Sequence, residues 1–201
     1  MAQQRPAHGS VRPGGRTART RQAVLDAALA ELGAGEFGRL SVERLAARAG
    51  VHATTVRRRW GSVQGVVLDL FASVVEEVTV PDTGELREDL RILLDGILAL
   101  YATPRNRNLL TGMIAAVVEH PDASRVMGRF FTDRTRHVAV IVERAAARGE
   151  VPAGTDAAQV IEAVSAPVYY RLLVTHQPLD PAFARRTADV AARAARAGAF
   201  T

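Results

Sequence analysis

The chain has 201 residues and a mass of 21.6 kDa; 48% of its residues are hydrophobic and 23% charged, which is enough apolar material for a core and excludes a disordered tail. It contains no cysteine, so disulfide frameworks and thiolate metal sites are excluded, and no apolar run approaches the ~18–20 residues of a membrane-spanning helix. The net charge of +5 is uneven: residues 1–60 hold eleven Arg against four acids (+7), and residues 61–201 hold fifteen Arg against seventeen acids (−2). A basic head on a nearly neutral body suits a polyanionic partner.

Residues 1–17 are rich in Arg, Pro and Gly, with Val11 as their one branched aliphatic, and read as a flexible basic arm. They lack the apolar core of a signal peptide, so the expected location is the cytoplasm. From about Thr20, apolar residues at Val24, Leu25, Ala28, Leu29 and Leu32 repeat at three and four, predicting a helix stopped by Gly33 and Gly35. Ser41 can cap a second helix (Val42, Leu45, Ala46, Ala49) ended by Gly50. A third fits His52 to Arg58, and Ser62 caps a fourth, running through about Val78 to a stop at Pro81.

Beyond Pro81 the helical punctuation continues. Asp82 and Glu85 form a D-x-x-E capping pattern before a leucine-rich helix. Pro104 and Pro121 each open a further helix, the second reaching about Arg148, and the loop 149–155 precedes one at 156–176 that contains Pro167, where a kink is expected. Asp180-Pro181 starts the last, at 181–198, with an alanine face of Ala184, Ala188, Ala191 and Ala195. No stretch reads as a strand. The expected fold is all-α with about nine helices.

The most specific pattern is VERLAARAGVHATTVRRRWG, residues 42–61. Two short helices joined by a tight turn cross steeply, so the crossing needs a small residue, here Ala46, and the turn needs tolerance of positive φ, here Gly50. Leu45, Ala49, Val51 and Val56 can form the shared miniature core. This is a helix-turn-helix spacing, in which the second helix enters the major groove and its exposed face reads base edges. That face would carry His52, Ala53, Thr54, Thr55 and Arg58. Thr and Ala can touch a thymine methyl, Arg can bond bases or phosphates, and at ~100° per residue Arg57, Arg58 and Arg59 cannot all point one way.

Residues 18–66 resemble the amino-terminal domain of the TetR family of transcriptional regulators. The resemblance is carried by Ala27-Ala28, the glycine-bearing turn with Phe37, Ser41-Val42, Leu45-Ala46, Ala49-Gly50-Val51, Thr55-Val56 and Trp60. It implies DNA contacts from Ser41, Arg44, His52, Ala53, Thr54, Thr55, Arg57, Arg58, Arg59 and Trp60. The family usually has Tyr where Arg57 stands and often Lys where Val63 stands; Arg57 can take over a phosphate contact and Val63 cannot. It implies a division into the arm (1–17), a DNA-binding head (18–64) and a ligand-binding, dimerising body (65–201).

The expected function is ligand-responsive repression of a palindromic double-stranded DNA operator by a homodimer, paired as a four-helix bundle through the helices at about 156–176 and 181–198, a pairing that the resemblance specifies and that their apolar and alanine faces support. The effector is a small molecule of unidentified structure. No cofactor, metal or enzymatic activity is expected. The alternatives are a non-specific architectural DNA binder and a regulator controlled by a protein partner without a cavity.

In family members the central helices surround a small-molecule pocket. Candidate lining residues are Phe71, Ile97, Tyr101, Met113, Val117, Met127, Phe130, Phe131 and Tyr169, with Thr111, Arg134 and the two tyrosines as polar contacts. Other patterns carry less. The G-x-G-x-x-G at 33–38 follows a helix rather than a strand, and Asp133 with His137 lacks a second ligand pair. No G-x-S-x-G surrounds any serine.

Overall fold

Local signals start and stop most of the helices. In a computed structural model that describes residues 15–33, 39–75, 79–119 and 121–201, all regular structure is helical. Among the described residues there are nine α-helices: α1 (Arg16–Gly33), α2 (Val42–Ala49), α3 (Ala53–Trp60), α4 (Val63–Val75), α5 (Leu86–Ala102), α6 (Pro104–Glu119), α7 (Pro121–Ala147), α8 (Ala157–Tyr170) and α9 (Pro181–Arg196). Most of the basic arm, the turn at 34–38 with Phe37, and positions 76–78 lie outside the described residues.

Ser41 caps α2, its hydroxyl accepting from the Arg44 N–H at 3.1 Å. Gly50 ends α2 at φ 65°, and paired bonds from the Gly50 and Val51 N–H groups to Ala47 and Ala46 carbonyls close the turn. Leu45, Ala46 and Val56 are buried in it with Val24, Leu25 and Ala28 of α1. Asp156 and Asp180 cap α8 and α9, accepting from Gln159 and Phe183 N–H groups at 3.1 and 2.6 Å.

Three expectations are corrected. Asp82 and Glu85 form no capping box: α5 begins at Leu86, whose N–H donates to the distant Glu150 carboxylate at 2.9 Å, while Asp82 pairs with Arg144 at 3.5 Å. A carboxylate 64 residues away satisfies the helix start, which local spacing could not announce. The backbone irregularity in the eighth helix comes after Pro167: α8 runs through it to Tyr170 and then widens into a π-helical turn, Arg171–Thr175, ended by His176 at φ 51°.

The third correction concerns α9. Its alanine face does not point outward to meet a second chain. Ala184, Ala188, Ala191, Ala192 and Ala195 are buried inside the protomer, where α9 makes the most extensive of the helix–helix contacts with the leucine-rich α5. Small side chains do allow close approach, and α5 is the helix that uses it.

The head, α1–α3, meets the rest through α1 and α4. α4 packs on α1 and α7, and α1 also lies on α6, where Gly112 sits so close that a Cβ there would be 3.0 Å from the Leu32 carbonyl oxygen. α7 lies between α6 and α8.

Candidate nucleic-acid interface and internal cavity

A basic cleft lies between the start of α1 and the exposed face of α3. Thr17 and Thr20 line one side, His52, Thr55, Arg58 and Arg59 the other, and the turn at Gly50-Val51 forms its floor, enclosing about 750 Å³. Thr54, Arg57 and Arg58 are exposed, Thr55 is half-buried, and Ala53 packs its methyl on the core. His52 occupies the N-cap position of α3 without a capping side-chain bond.

The other candidate DNA-contact residues have partners within the protein. Ser41 is committed to its cap, and Arg44 reaches the buried Glu31 carboxylate at 2.7 Å, with Arg48 on the same carboxylate at 3.3 Å. Arg57 is ion-paired with Glu43, whose own backbone N–H and the Arg57 guanidinium hold the carboxyl below its ordinary value. Arg59 lies over the Trp60 ring at 5.1 Å. Trp60 turns inward: its indole N–H donates to Asp69 of α4 at 2.8 Å, and Arg21 of α1 grips the same carboxylate at 2.6 and 2.9 Å. Asp69 therefore ties α1, α3 and α4 together. Just before it, Gly65 is required, because a Cβ there would lie 2.1 Å from the Trp60 carbonyl oxygen.

A second concavity, of about 280 Å³, opens between α5, α7 and α8. Of the candidate residues, Ile97, Tyr101, Phe130, Phe131, Arg134 and Tyr169 line it. The remaining candidates lie elsewhere. Phe71, Met113 and Met127 fill an adjoining seam too tight for a water-sized molecule, with Phe71 against Phe130 at 5.3 Å. Val117 is half-buried on α6 away from this wall, and the exposed Thr111 hydroxyl donates to the Arg107 carbonyl at 2.9 Å.

Lining residues that sequence reasoning missed are Leu100, Thr132, Thr135, Ile161, Glu162, Ser165 and Ala166. Glu162, Ser165 and Ala166 stand seven, four and three residues before Tyr169, so helical periodicity back from that tyrosine could have found them. Burial pushes the Tyr101 phenol far above its ordinary value, aided by a hydrogen bond donated to Tyr169. Burial raises Tyr169 too, opposed by that bond and by the nearby Arg134 charge.

Among the described residues no group of three or more His, Asp and Glu could hold a metal, and Asp133 pairs with Arg136 at 3.1 Å. No helix among them is long and apolar enough to cross a membrane.

Residues 80–191 match the family model described as "Tetracyclin repressor-like, C-terminal domain". The chain is 31% identical over 179 residues to the HTH-type transcriptional regulator AqdR of Rhodococcus erythropolis, covering 87% of this chain and 84% of AqdR. It is 28% identical to the uncharacterized HTH-type transcriptional regulator YdeS of Bacillus subtilis, covering 83% and 84%. Among solved structures, the TetR family transcription regulator SCO0332 superposes with a TM-score of 0.69 at 28% identity, covering 87% of this chain and 97% of that one. A complex of SmeT with triclosan shares the fold, with a TM-score of 0.59, 22% identity and coverage of 89% and 90%.

Proposed function

The chain belongs to the TetR family of transcriptional regulators, and from that premise we propose that it is a ligand-responsive repressor binding a near-palindromic operator as a homodimer. The observation that carries this reading is the α3 face, where Thr54, Arg57 and Arg58 stand exposed beside a basic cleft on a helix fixed by a glycine turn. Such a face fits a major groove, with Thr54 and Arg58 on base edges and Arg57 and Arg59 on phosphate. Arg57 would exchange Glu43 for phosphate, a trade of one anion for another.

Residues 18–64 read DNA and residues 65–201 sense and dimerise. The cavity between α5, α7 and α8 receives the effector; SmeT, of the same fold, is known in complex with triclosan. Two copies pair through the outer faces of α8 and α9. Tyr170 at the end of α8, Val174 in the π-helical turn after it and Val190 on α9 are 59%, 63% and 68% exposed, and a groove lined by Pro167, Phe183, Val190 and Phe200 runs between the helices. The site of action is the cytoplasm. Effector binding shifts the dimer toward a head spacing that misfits the operator, driven by differential affinity for the two states.

Selection of bound duplexes from random DNA at near-physiological salt tests this reading. A recovered palindrome with half-sites about one helical turn (~34 Å) or a small multiple apart is the expected result. Binding without a shared motif overturns sequence reading in favour of an architectural role.

A further inference from the structure

Three neighbouring rows of α8, each stepping by four residues, meet three different surroundings. Ile161, Ser165 and Tyr169 line the inside of the concavity between α5, α7 and α8. Ala163, Pro167 and Arg171 line the groove shared with α9. Between them runs the row Glu162, Ala166 and Tyr170, and all three are exposed. Glu162 and Ala166 also line the concavity, so this row is both its rim and the outer face of the helix. The floor, in contrast, is buried at Leu100, Tyr101 and Ile161. The concavity is half open, and it opens beside this row.

A small-molecule site ordinarily buries about 70–90% of its ligand's surface. In one protomer a compound on this floor keeps a side in water, so a wall is missing. A helix with its side chains is about 10–12 Å across, so one packed along the middle row overhangs the concavity on one side and the groove on the other. Ala166 at the centre of the row permits a close approach, and Tyr170, one turn on, presents a ring that the protomer leaves exposed.

We propose that a second copy of this chain, packed on the row Glu162–Ala166–Tyr170, closes the mouth of the concavity, so that the effector site is complete only in the dimer. The inference rests on the reading of the concavity as the effector site and of α8 and α9 as the dimer face, and makes the rim of the one part of the other. A compound held there touches both chains, so it tightens the dimer by the factor by which dimerisation tightens its binding.

Because the chain contains no cysteine, a single introduced thiol reports a single position. Ala166→Cys and Glu162→Cys on the rim, Tyr170→Cys beyond it and Thr54→Cys on the exposed face of α3 are each reacted, in the full chain, with the uncharged reagent 4,4′-dithiodipyridine. Dimer and monomer are identified by sedimentation, the monomer being obtained by dilution or by Val190→Glu. The two rim thiols should react at least about tenfold more slowly in the dimer than in the monomer, and Thr54→Cys equally in both. Rim rates equal in the two states, with Tyr170→Cys protected in the dimer, overturn the shared site and leave the dimer face standing. Equal rates at all three positions put the interface elsewhere, and the dimer-face reading falls together with this inference. A chain that sediments as a monomer throughout overturns both.

Discussion

The head and the body hold themselves together by different means. In the head, the two eight-residue helices α2 and α3 share a small core with α1, and much of their geometry is set by polar ties: Ser41 on α2, Glu31 under Arg44 and Arg48, and Asp69 between Arg21 and Trp60. In the body, long helices pack leucine against alanine, and the cavity is simply what that packing leaves unfilled. A surface that reads DNA needs side chains held at fixed places on the outside. A chamber for a small molecule needs only that several helices decline to meet. Substitutions should therefore act sharply and locally in the head and through packing in the body.

The largest contrast lies on two faces of one body helix. Ala188 is fully buried against α5, so Ala188→Glu places an unpaired carboxylate in the core and should cost more than about 3 kcal/mol, seen as loss of the folded protomer by circular dichroism. Val190, two residues on, is 68% exposed. Val190→Glu should keep its helical signal and sediment as a monomer. A Val190→Glu protein that stays dimeric would remove this face of α9 from the interface.

The next effect belongs to the junction of head and body. Gly65→Ala forces a Cβ against the Trp60 carbonyl and should destabilise by about 2–3 kcal/mol, because backbone rather than a flexible side chain must give way. Gly112→Ala, where the corresponding approach to Leu32 is 3.0 Å, should cost less in the same thermal melt. Equal costs would mean that the α3–α4 turn yields more easily than its geometry implies.

On the DNA-facing surface the effect is smaller and selective. Thr54→Ala and Arg58→Ala should each cost about 1–3 kcal/mol at one base position, read as changed preference across a panel of operator variants. A loss equal on all sequences would assign these side chains to phosphate.

The head was legible in the sequence because its determinants are local. Ser41, Gly50, Ala46 and Val56 lie within sixteen residues, and each backbone demand is met by a residue type that few others can replace. Its polar ties were not legible, since Asp69 and Arg21 are 48 positions apart. In the body, helix existence was readable from periodicity and proline. The cavity was read only in part, because an aromatic or methionine on a helix face looks the same whether it fills a core, as Phe71 and Met113 do, or faces a void, as Tyr101 and Phe131 do. The alanine face of α9 misled for a related reason: a stripe of small residues announces close approach without naming the partner, and the partner is α5.

The smallest predicted effect comes from comparing two carboxylates, one in each region. At Asp69, burial pushes the pKa up, but hydrogen bonds from Arg21 and Trp60, with the Arg21 and Arg59 charges, outweigh it and leave the carboxyl below its ordinary value. Glu150 is likewise lowered against its burial, by the Leu86 N–H and by Arg148 and Arg196. A folded-state pKa below the unfolded one gives stability that is complete above the unfolded value, about 4, and is lost as pH falls through the folded value. Asp69→Asn and Glu150→Gln should therefore both lower the urea midpoint at pH 7, and each difference from wild type should shrink near pH 3. Only Asp69→Asn should also weaken operator binding at pH 7, because only Asp69 holds the end of α3 against α1 and α4. Glu150 ties the start of α5 to α9, and losing its charge should leave α3 where it was. Equal losses of operator affinity in the two variants would mean that the regions are coupled through global stability, and that Asp69 does not orient the DNA-facing helix.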